Sequence, residues 1–215
     1  MSVSLIVLAK APAPGRSKTR LCPPCTPNEA ARLAEAALRD TLEVVAATPV
    51  ARCLLALDGE PESFVPAGFE VVPQRGDGLD ERLAAAFADA GGPAVLVGMD
   101  TPQVTPALLT SAVRLLEAGP AGAVLGPAVD GGYWAIGLRR PDPAVFLGVP
   151  MSTPGTLAAQ RERLAALALE IASLPALRDV DVIDDAWVVA EEAPGSRFAA
   201  ALLEISASPP AAVAP

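Results

Sequence analysis

Short apolar runs recur along the chain without alternating in polarity. They occupy residues 4–9, 53–57, 94–99 and 123–126, with the sequences SLIVLA, CLLAL, AVLVGM and AVLG. Continuous runs of this length are typical of strands that are covered on both faces, as in a parallel sheet. A further strand is predicted for YWAIGL at residues 133–138, directly after a glycine-rich turn. We therefore expect a largely buried sheet.

Segments with helical spacing lie between these runs. Apolar residues recur at that spacing at positions 38, 42 and 45, and again at positions 108, 109, 112, 115 and 116. Thr26, Pro27 and Glu29 predict a helix start with an N-cap threonine, a first-turn proline and a capping box. Thr105-Pro106 predicts a second start of this kind, and Thr153-Pro154 predicts a third.

The alternation of strands and helices predicts an α/β layered sandwich with right-handed crossovers. A length of 215 residues suits one domain, for which we take residues 1–205. Residues 206–215 (SASPPAAVAP) are of low complexity and are expected to form a flexible tail. Ligands of open α/β sheets bind at the carboxyl ends of strands, so the candidate chemistry is sought in the loops that follow strands.

Composition excludes several kinds of chemistry. The chain has no histidine, which excludes Ser-His-Asp and Cys-His catalysis and histidine zinc sites. Its 16 basic and 25 acidic residues give a net charge of −9, which argues against a broad nucleic-acid surface but not against a nucleotide-sized ligand. The first apolar run is too short to span a bilayer, and no basic signal-peptide start precedes it. We expect no membrane insertion and a cytoplasmic protein.

The loop at residues 10–21 (KAPAPGRSKTRL), after the first predicted strand, is unusually basic. Within 11 positions it holds four of the chain's 16 basic residues, Lys10, Arg16, Lys18 and Arg20. A cationic loop at the carboxyl end of a strand is placed to bind phosphate, and Gly15 lets the backbone approach closely. Pro12 and Ser17 stand where a Walker A loop needs glycine, so that motif is excluded. The alternative is a solvated charged loop.

Carboxylates stand out in two later segments. Asp100 comes directly after the predicted strand at 94–99, and Thr101 and Pro102 turn the chain away. A carboxylate there is placed to hold a divalent cation that bridges phosphates, or else it caps a helix. Residues 178–185 (RDVDVIDD) hold four acids within seven positions. Such density is unfavourable through repulsion unless a cation or solvent screens it.

The turn before residues 133–138 brings rare residues together. Asp130, Gly131 and Gly132 form a turn signal, and the segment after it begins with Tyr133, the one tyrosine, and Trp134, one of two tryptophans. Binding residues concentrate in loops that are held by rigid strands. Aromatic residues beside an acidic turn therefore predict a wall that contacts substrate, and a bare hairpin is the alternative.

Together these four segments resemble a known family. In order they are KAPAPGRSKTRL, GMDTPQVTP, GPAVDGGYWAIGL and LPALRDVDVIDDA, and over residues 3–190 the chain resembles the small bacterial glycosyltransferase-like proteins of the nucleotide-diphospho-sugar transferase superfamily. It is more distantly similar to the molybdenum cofactor and 2-phospholactate guanylyltransferases. The resemblance implies the glycosyltransferase A-type fold, a Rossmann-like three-layer α/β/α sandwich whose mostly parallel central sheet binds a nucleotide at the first strand.

The resemblance also implies roles for individual residues. It places a nucleotide and its phosphates against Leu8, Ala9, Lys10, Gly15, Arg16, Lys18 and Arg20. It implies that Mg²⁺ or Mn²⁺ is bound by Asp100 and Asp181. The substrate or acceptor side would comprise the acidic turn and the two aromatic residues after it, Asp130, Gly131, Gly132, Tyr133 and Trp134. Catalysis would then involve Asp100, Asp130 and Lys18.

We therefore expect a metal-dependent transferase that uses a nucleotide diphosphate-sugar as donor. The cation would neutralise the departing diphosphate, Lys18 and Arg20 would add fixed positive charge, and Asp130 would orient or deprotonate the acceptor hydroxyl. Asp100 stands alone rather than in an Asp-x-Asp pair, so a nucleotidyltransferase that condenses an NTP with a phosphorylated small molecule and releases pyrophosphate is the alternative. A third hypothesis is a nucleotide-binding protein without catalysis.

Overall fold

The chain folds around a seven-stranded sheet. The computed structural model describes residues 2–207. Within that part of the chain the strands are β1 (Ser4–Lys10), β2 (Arg52–Asp58), β3 (Phe69–Pro73), β4 (Ala94–Gly98), β5 (Ala123–Pro127), β6 (Tyr133–Leu138) and β7 (Ile171–Ser173). The α-helices are α1 (Pro27–Ala46), α2 (Leu79–Ala90), α3 (Pro106–Ala118), α4 (Thr156–Ala166), α5 (Ile183–Glu192) and α6 (Arg197–Ala207). Short 3₁₀ helices cover Thr19–Leu21 and Pro143–Val145.

The strand order is β3-β2-β1-β4-β6-β5-β7, which puts β1 near the centre. Neighbouring strands are parallel except at β6, which runs antiparallel to both β4 and β5. Tyr133, at the start of β6, therefore lies at the same edge of the sheet as Lys10 and Gly98, the last residues of β1 and β4. The mostly parallel central sheet expected from the sequence is confirmed.

Helices cover both faces of the sheet. On one face, Leu5 of β1 lies in the same apolar cluster as Leu38 of α1 and Leu109 of α3. On the other face, Ile6 of β1 lies in a cluster with Phe87 of α2. Because successive side chains of β1 are buried on opposite faces, the strand is apolar throughout rather than alternating. The layered α/β/α sandwich is thus confirmed.

A third apolar cluster connects the last helices with the loop after β1. It contains Leu21, at the end of that loop, and Val180, and both side chains are fully buried. Phe198 of α6 belongs to the same cluster, and its N–H donates to Asp40 Oδ2 of α1 at 2.9 Å. The basic loop and the acidic segment at 178–185, which are far apart in sequence, are therefore packed against one underlying layer.

The central strands are confirmed to within one residue at each end, whereas β3 and β7 were not predicted. Each of these two strands borders a single neighbour, β2 for β3 and β5 for β7. Their residues are half-buried or exposed. Edge strands are covered less, so they lack the continuous apolar pattern by which the central strands are recognised.

Two of the three predicted helix starts are confirmed. Thr26 and Glu29 form the expected capping box at α1, and the Thr105 side chain caps α3. The third is wrong, because α4 begins after Gly155 rather than after Thr153. The Thr153 hydroxyl accepts the N–H of Gly155 at 3.2 Å, so it closes a turn instead of capping the helix.

The end of the chain is described only in part. Ser206 and Ala207, the first two residues of the expected tail at 206–215, belong to α6. The rest of that tail, residues 208–215, lies outside the described residues. None of the helices in residues 2–207 combines the length and the apolar character needed to cross a bilayer.

Candidate active site

A cavity of about 900 Å³ lies at the edge of the sheet where β1 and β4 end and β6 begins. Its volume is typical of small-molecule sites, and its position agrees with ligand binding beyond the carboxyl ends of strands. Four residues of the expected nucleotide site line it, Leu8, Ala9, Lys10 and Arg20. The expected metal and acceptor residues that line it are Asp100, Asp130, Gly132, Tyr133, Trp134 and Asp181.

Lys18 connects the basic loop to the carboxylate that follows β4. Its Nζ lies 2.6 Å from Asp100 Oδ1 and also donates to the carbonyl of Val180. The side chain of Lys18 is only 11% exposed, against 46% for Asp100. The backbone of Lys18 is left-handed, with φ 50°. The solvated-loop alternative is therefore excluded for Lys18, because its ammonium is held in a defined place.

A second ion pair joins the same two segments nearer to solvent. Arg20 Nη1 donates to Asp181 Oδ2, and the two side chains are 69% and 42% exposed. Ion pairs as exposed as this contribute little to stability, because water competes for both partners. The pair can therefore open without much loss when a charged ligand enters the cavity.

Gly15 and Arg16 lie away from the cavity. A tight turn over residues 13–17 is closed by the Ser17 hydroxyl, which accepts the N–H of Ala13 at 3.0 Å. Gly15, with φ +73°, and Arg16 form the exposed tip of this turn. The structure therefore does not bring these two expected phosphate contacts together with Lys18, because the turn directs the tip outwards before the chain returns to the site.

Asp130 shapes the turn between β5 and β6. Its Oδ1 accepts the N–H of Gly132 at 2.8 Å. Gly131 adopts φ +91°, and its carbonyl accepts the N–H of Leu157 in α4 at 2.8 Å. Gly131 does not line the cavity itself, but a side chain there would collide with the loop before α4, since a Cβ would lie 2.1 Å from Pro154 O. The turn thus docks α4 beside the cavity.

The aromatic residues after this turn belong mainly to the core. Trp134 is 2% exposed, and its indole N–H donates to the carbonyl of Pro175 at 3.1 Å. Tyr133 donates its hydroxyl to Gln160 Oε1 at 3.3 Å, and burial raises the pKa of Tyr133. Both line the cavity, but little of either ring is open to a ligand, because β6 is an internal strand with both faces covered.

Asp179 is a site residue that the sequence analysis did not select. It lines the cavity, and its Oδ1 is buried without a hydrogen-bond partner. Burial is the main cause that raises the pKa of Asp179 to about 7. The charges of three neighbouring carboxylates raise it as well, those of Asp100, Asp130 and Asp181, while Lys18 opposes the rise. The density of acids at 178–185 was the available signal, but it did not distinguish Asp179 from Asp181.

Gln74 and Arg82 also line the cavity and were not predicted. Gln74 Nε2 donates to the carbonyl of Ala9 at 2.8 Å, which ties the end of β3 to the end of β1. Arg82 Nη1 donates to Asp58 Oδ2 at 3.3 Å. Both residues follow β3 in sequence, and the sequence analysis missed them because it missed that strand.

A family match covers the centre of the site. The sequence model of the family described as "Uncharacterized protein conserved in bacteria (DUF2064)" matches residues 34–153. The chain belongs to the DUF2064 family. The matched part of this DUF2064 chain includes Asp100 and Asp130, whereas Lys18 and Asp179 lie outside it. No curated protein sequence matches the chain significantly.

Solved structures show the superfamily. A protein from Desulfovibrio desulfuricans G20, described provisionally as a nucleotide-diphospho-sugar transferase, has a TM-score of 0.86, 28% identity and 96% of both chains covered. CMP:2-keto-3-deoxy-manno-octonic acid synthetase complexed with CTP has a TM-score of 0.61 and 14% identity, covering 90% of this chain and 99% of that one. Rv0371c from Mycobacterium tuberculosis H37Rv, complexed with manganese, has a TM-score of 0.55 and 20% identity, covering 89% and 98%.

The DUF2064 chain therefore has the fold of the nucleotidyl- and sugar-transferase superfamily, and the resemblance found in the sequence is confirmed. The similarity to the Desulfovibrio protein extends over 96% of this chain, whereas the family match covers residues 34–153.

Asp179→Asn should make the stability of the metal-free protein less sensitive to rising pH. A carboxyl with a pKa of about 7 in the folded chain and near 4 when unfolded binds more protons when folded, so stability falls as pH rises from about 4 to about 7. With a chelator present, we expect the free energy of unfolding of the Asn variant to rise by roughly 2 kcal/mol relative to that of the parent as the pH increases from 5 to 8. This corresponds to about 5 °C in Tm. The exposed Asp184→Asn is the control, and equal pH profiles for Asp179→Asn and the parent would contradict the assignment.

Gly131→Ala should destabilise the protein more than Gly15→Ala does. Both glycines have positive φ, but a Cβ at Gly131 would lie 2.1 Å from Pro154 O, whereas nothing lies within 4 Å of a Cβ at Gly15. The control substitution should cost about 1 kcal/mol through backbone strain alone, and Gly131→Ala about 2–4 kcal/mol. Thermal unfolding measures both, and similar losses would mean that the contact with α4 is unimportant.

Proposed function

We propose that this DUF2064 protein is a metal-dependent transferase that uses a nucleotide diphosphate-sugar as donor. The observation that carries the proposal is the meeting of the basic loop with the carboxylates, through Lys18 with Asp100 and Arg20 with Asp181. A departing diphosphate is stabilised by positive charge close to the position where its own negative charge develops. One loop places two positively charged side chains, Lys18 and Arg20, at the carboxyl edge of the sheet, which meets that condition.

The residues present fit a hard divalent cation. Asp100 and Asp179 offer carboxylate oxygens, the ligand type that Mg²⁺ and Mn²⁺ prefer, and Asp179 Oδ1 lacks a hydrogen-bond partner. Asp181 is the remaining candidate ligand. Residues 2–207 contain no cluster of three or more side chains suited to hold a metal. A cation held by two carboxylates would complete its shell with phosphate oxygens and water, as Mg²⁺ commonly does. Its chemical contribution would be to neutralise the diphosphate.

The remaining groups of the site support the same assignment. Leu8, Ala9 and Lys10 at the end of β1 would face the nucleotide, with the Ala9 carbonyl held by Gln74. Lys18 and Arg20 would leave their carboxylate partners for the diphosphate. Asp130, in the turn before β6, would accept a hydrogen bond from the acceptor hydroxyl and orient it.

Nucleotidyl transfer is the second candidate. It is favoured by the shared fold with the synthetase that binds CTP, and it would use the same cation and basic side chains on a triphosphate. The two reactions differ in their products. Release of a nucleoside diphosphate supports sugar transfer, and release of pyrophosphate supports nucleotidyl transfer.

Asp100→Asn should abolish metal-dependent nucleotide binding. We expect a nucleoside diphosphate-sugar and its diphosphate, tested in a panel that also includes triphosphates, to raise the Tm of the parent by about 5–10 °C with Mn²⁺ at about 100 times Kd. The variant should lose most of that shift, and its turnover should fall by about 10²-fold or more. Asp184→Asn, outside the cavity, is the matched control. A variant that kept both the shift and the turnover would rule out the metal role of Asp100.

Lys18→Gln should bind Mn²⁺ more tightly than the parent when no nucleotide is present. The ammonium lies 2.6 Å from Asp100 Oδ1, so a cation must displace it to reach that carboxylate. Removing the competing charge should raise Mn²⁺ affinity by about tenfold, measured from the free-Mn²⁺ signal in electron paramagnetic resonance. The exposed Arg16→Gln in the same loop is the control. Unchanged affinity in Lys18→Gln would show that lysine and metal do not compete.

A further inference from the structure

The two sides of the cavity differ in their charge. The side formed by the ends of β1, β2 and β3, here called the donor side, carries Lys10, Gln74 and Arg82. We call the other side the acceptor side. It is formed by the end of β4, the turn before β6, the loop before α4 and the segment at 178–181. The side chains that line it include Asp100, Asp130, Tyr133, Ser152 and Asp179. Two positively charged side chains, Lys10 and Arg82, thus lie on the donor side beside the carboxylate of Asp77, whereas the charged residues named on the acceptor side are all carboxylates.

The acceptor side combines carboxylates with hydroxyl groups. Asp100, Asp130 and Asp179 reach it from three separate segments, and Ser152 and Thr153 contribute the hydroxyls. The arginine that lines the cavity next to this side is Arg20, which is paired with Asp181. Carboxylates and hydroxyls are suitable partners for the hydroxyl groups of a ligand, since they accept and donate hydrogen bonds in several directions.

The basic side chains nearest to this side are committed elsewhere. Lys18 and Arg20 are paired with Asp100 and Asp181, and in the proposed reaction both turn to the donor diphosphate. Arg163 of α4 donates to backbone carbonyls in the loop before its helix and does not line the cavity. Because the cation, Lys18 and Arg20 are then engaged with the donor diphosphate, an acceptor that enters next to it meets the carboxylate of Asp130 without a free basic side chain beside it.

We propose that the acceptor is an uncharged, hydroxyl-rich molecule of the sugar or polyol class, and that phosphorylated acceptors are excluded. This inference rests on the proposed function and narrows it. A phosphate on the acceptor side would be desolvated beside Asp130 while Lys18 and Arg20 are engaged by the donor diphosphate, which is strongly unfavourable. The same charge distribution disfavours nucleotidyl transfer, in which the attacking group is itself a phosphate.

The group transfer balances with such an acceptor. The hydroxyl oxygen forms a bond to the anomeric carbon of the donor sugar, and the bond between that carbon and the β-phosphate oxygen breaks. The nucleoside diphosphate leaves with the bonding electron pair. The proton of the acceptor hydroxyl passes to the carboxylate of Asp130 or to water.

Inorganic phosphate is the probe that tests this exclusion. The full chain is first saturated with Mg²⁺ and with the nucleoside diphosphate that stabilises it most, so that the donor's phosphate positions are filled. Phosphate is then titrated and followed by calorimetry and by ³¹P line broadening. We expect no saturable binding below about 10 mM, and a submillimolar Kd would overturn the proposal.

Two variants show whether charge is the reason. Ser152→Lys places a cation on the acceptor side at an exposed position, and phosphate should then bind at least about tenfold more tightly than to the parent. Ser111→Lys adds the same charge on the exposed side of α3, outside the cavity, and should have no effect. Asp130→Asn keeps the oxygen that accepts the Gly132 N–H and should also tighten phosphate binding. No gain in either cavity variant would count against the proposal.

The experiment separates failure of this inference from failure of the proposed function. If no nucleoside diphosphate binds with Mg²⁺, the proposed function fails before phosphate is added, and the acceptor inference fails with it. If the nucleotide binds and the parent also binds phosphate tightly, the acceptor inference alone is wrong. Nucleotidyl transfer to a phosphorylated molecule would then be the preferred activity.

Discussion

The candidate site depends on the contact that holds residues 178–181 against the end of β4. The N–H of Val180 donates to the carbonyl of Asp100 at 2.9 Å, and the carbonyl of Val180 accepts from Lys18. The Val180 side chain is fully buried beneath them. One apolar residue therefore anchors the acidic segment, and its backbone joins two strand-following loops. Together with Gln103 Nε2, which donates to the carbonyl of Arg178 at 2.7 Å, this anchor fixes Asp179 and Asp181 relative to Asp100.

That packing brings several carboxylates close together. They converge on one cavity in a chain of net charge −9. Burial, and after it the charges of the neighbouring carboxylates, raises the pKa of Asp179 to about 7. Lys18 and Arg20 offset part of this charge in the ligand-free chain. A site assembled in this way is suited to cations and to hydroxyl groups, while the basic side chains remain available for a diphosphate.

The central strands and the start of α1 were predictable because their patterns depend on residues that are close together in the sequence. Strands buried on both faces must be apolar throughout, and the capping box at Thr26 is built from residues three positions apart. The edge strand β3 has one neighbour and partial cover, so its pattern was too weak to recognise. Gln74 and Arg82 were missed with it. Thr153 carried a helix-start pattern, yet its hydroxyl closes a turn because α4 is docked on the turn at Gly131.

By itself, the sequence determined the α/β class, the central strands, the absence of histidine chemistry and the residues Lys18, Asp100 and Asp130 as candidates for a nucleotide site. Local spacing and composition suffice for these because each depends on neighbouring residues or on residue type alone. Only the tertiary structure decided that Lys18 lies 2.6 Å from Asp100, that Gly15 and Arg16 point away, and that Asp179 Oδ1 is buried without a hydrogen-bond partner. The positions of Lys18 and Asp179 arise from packing between segments more than 80 residues apart, whereas Gly15 and Arg16 are directed by a local turn whose place in the fold the sequence does not specify.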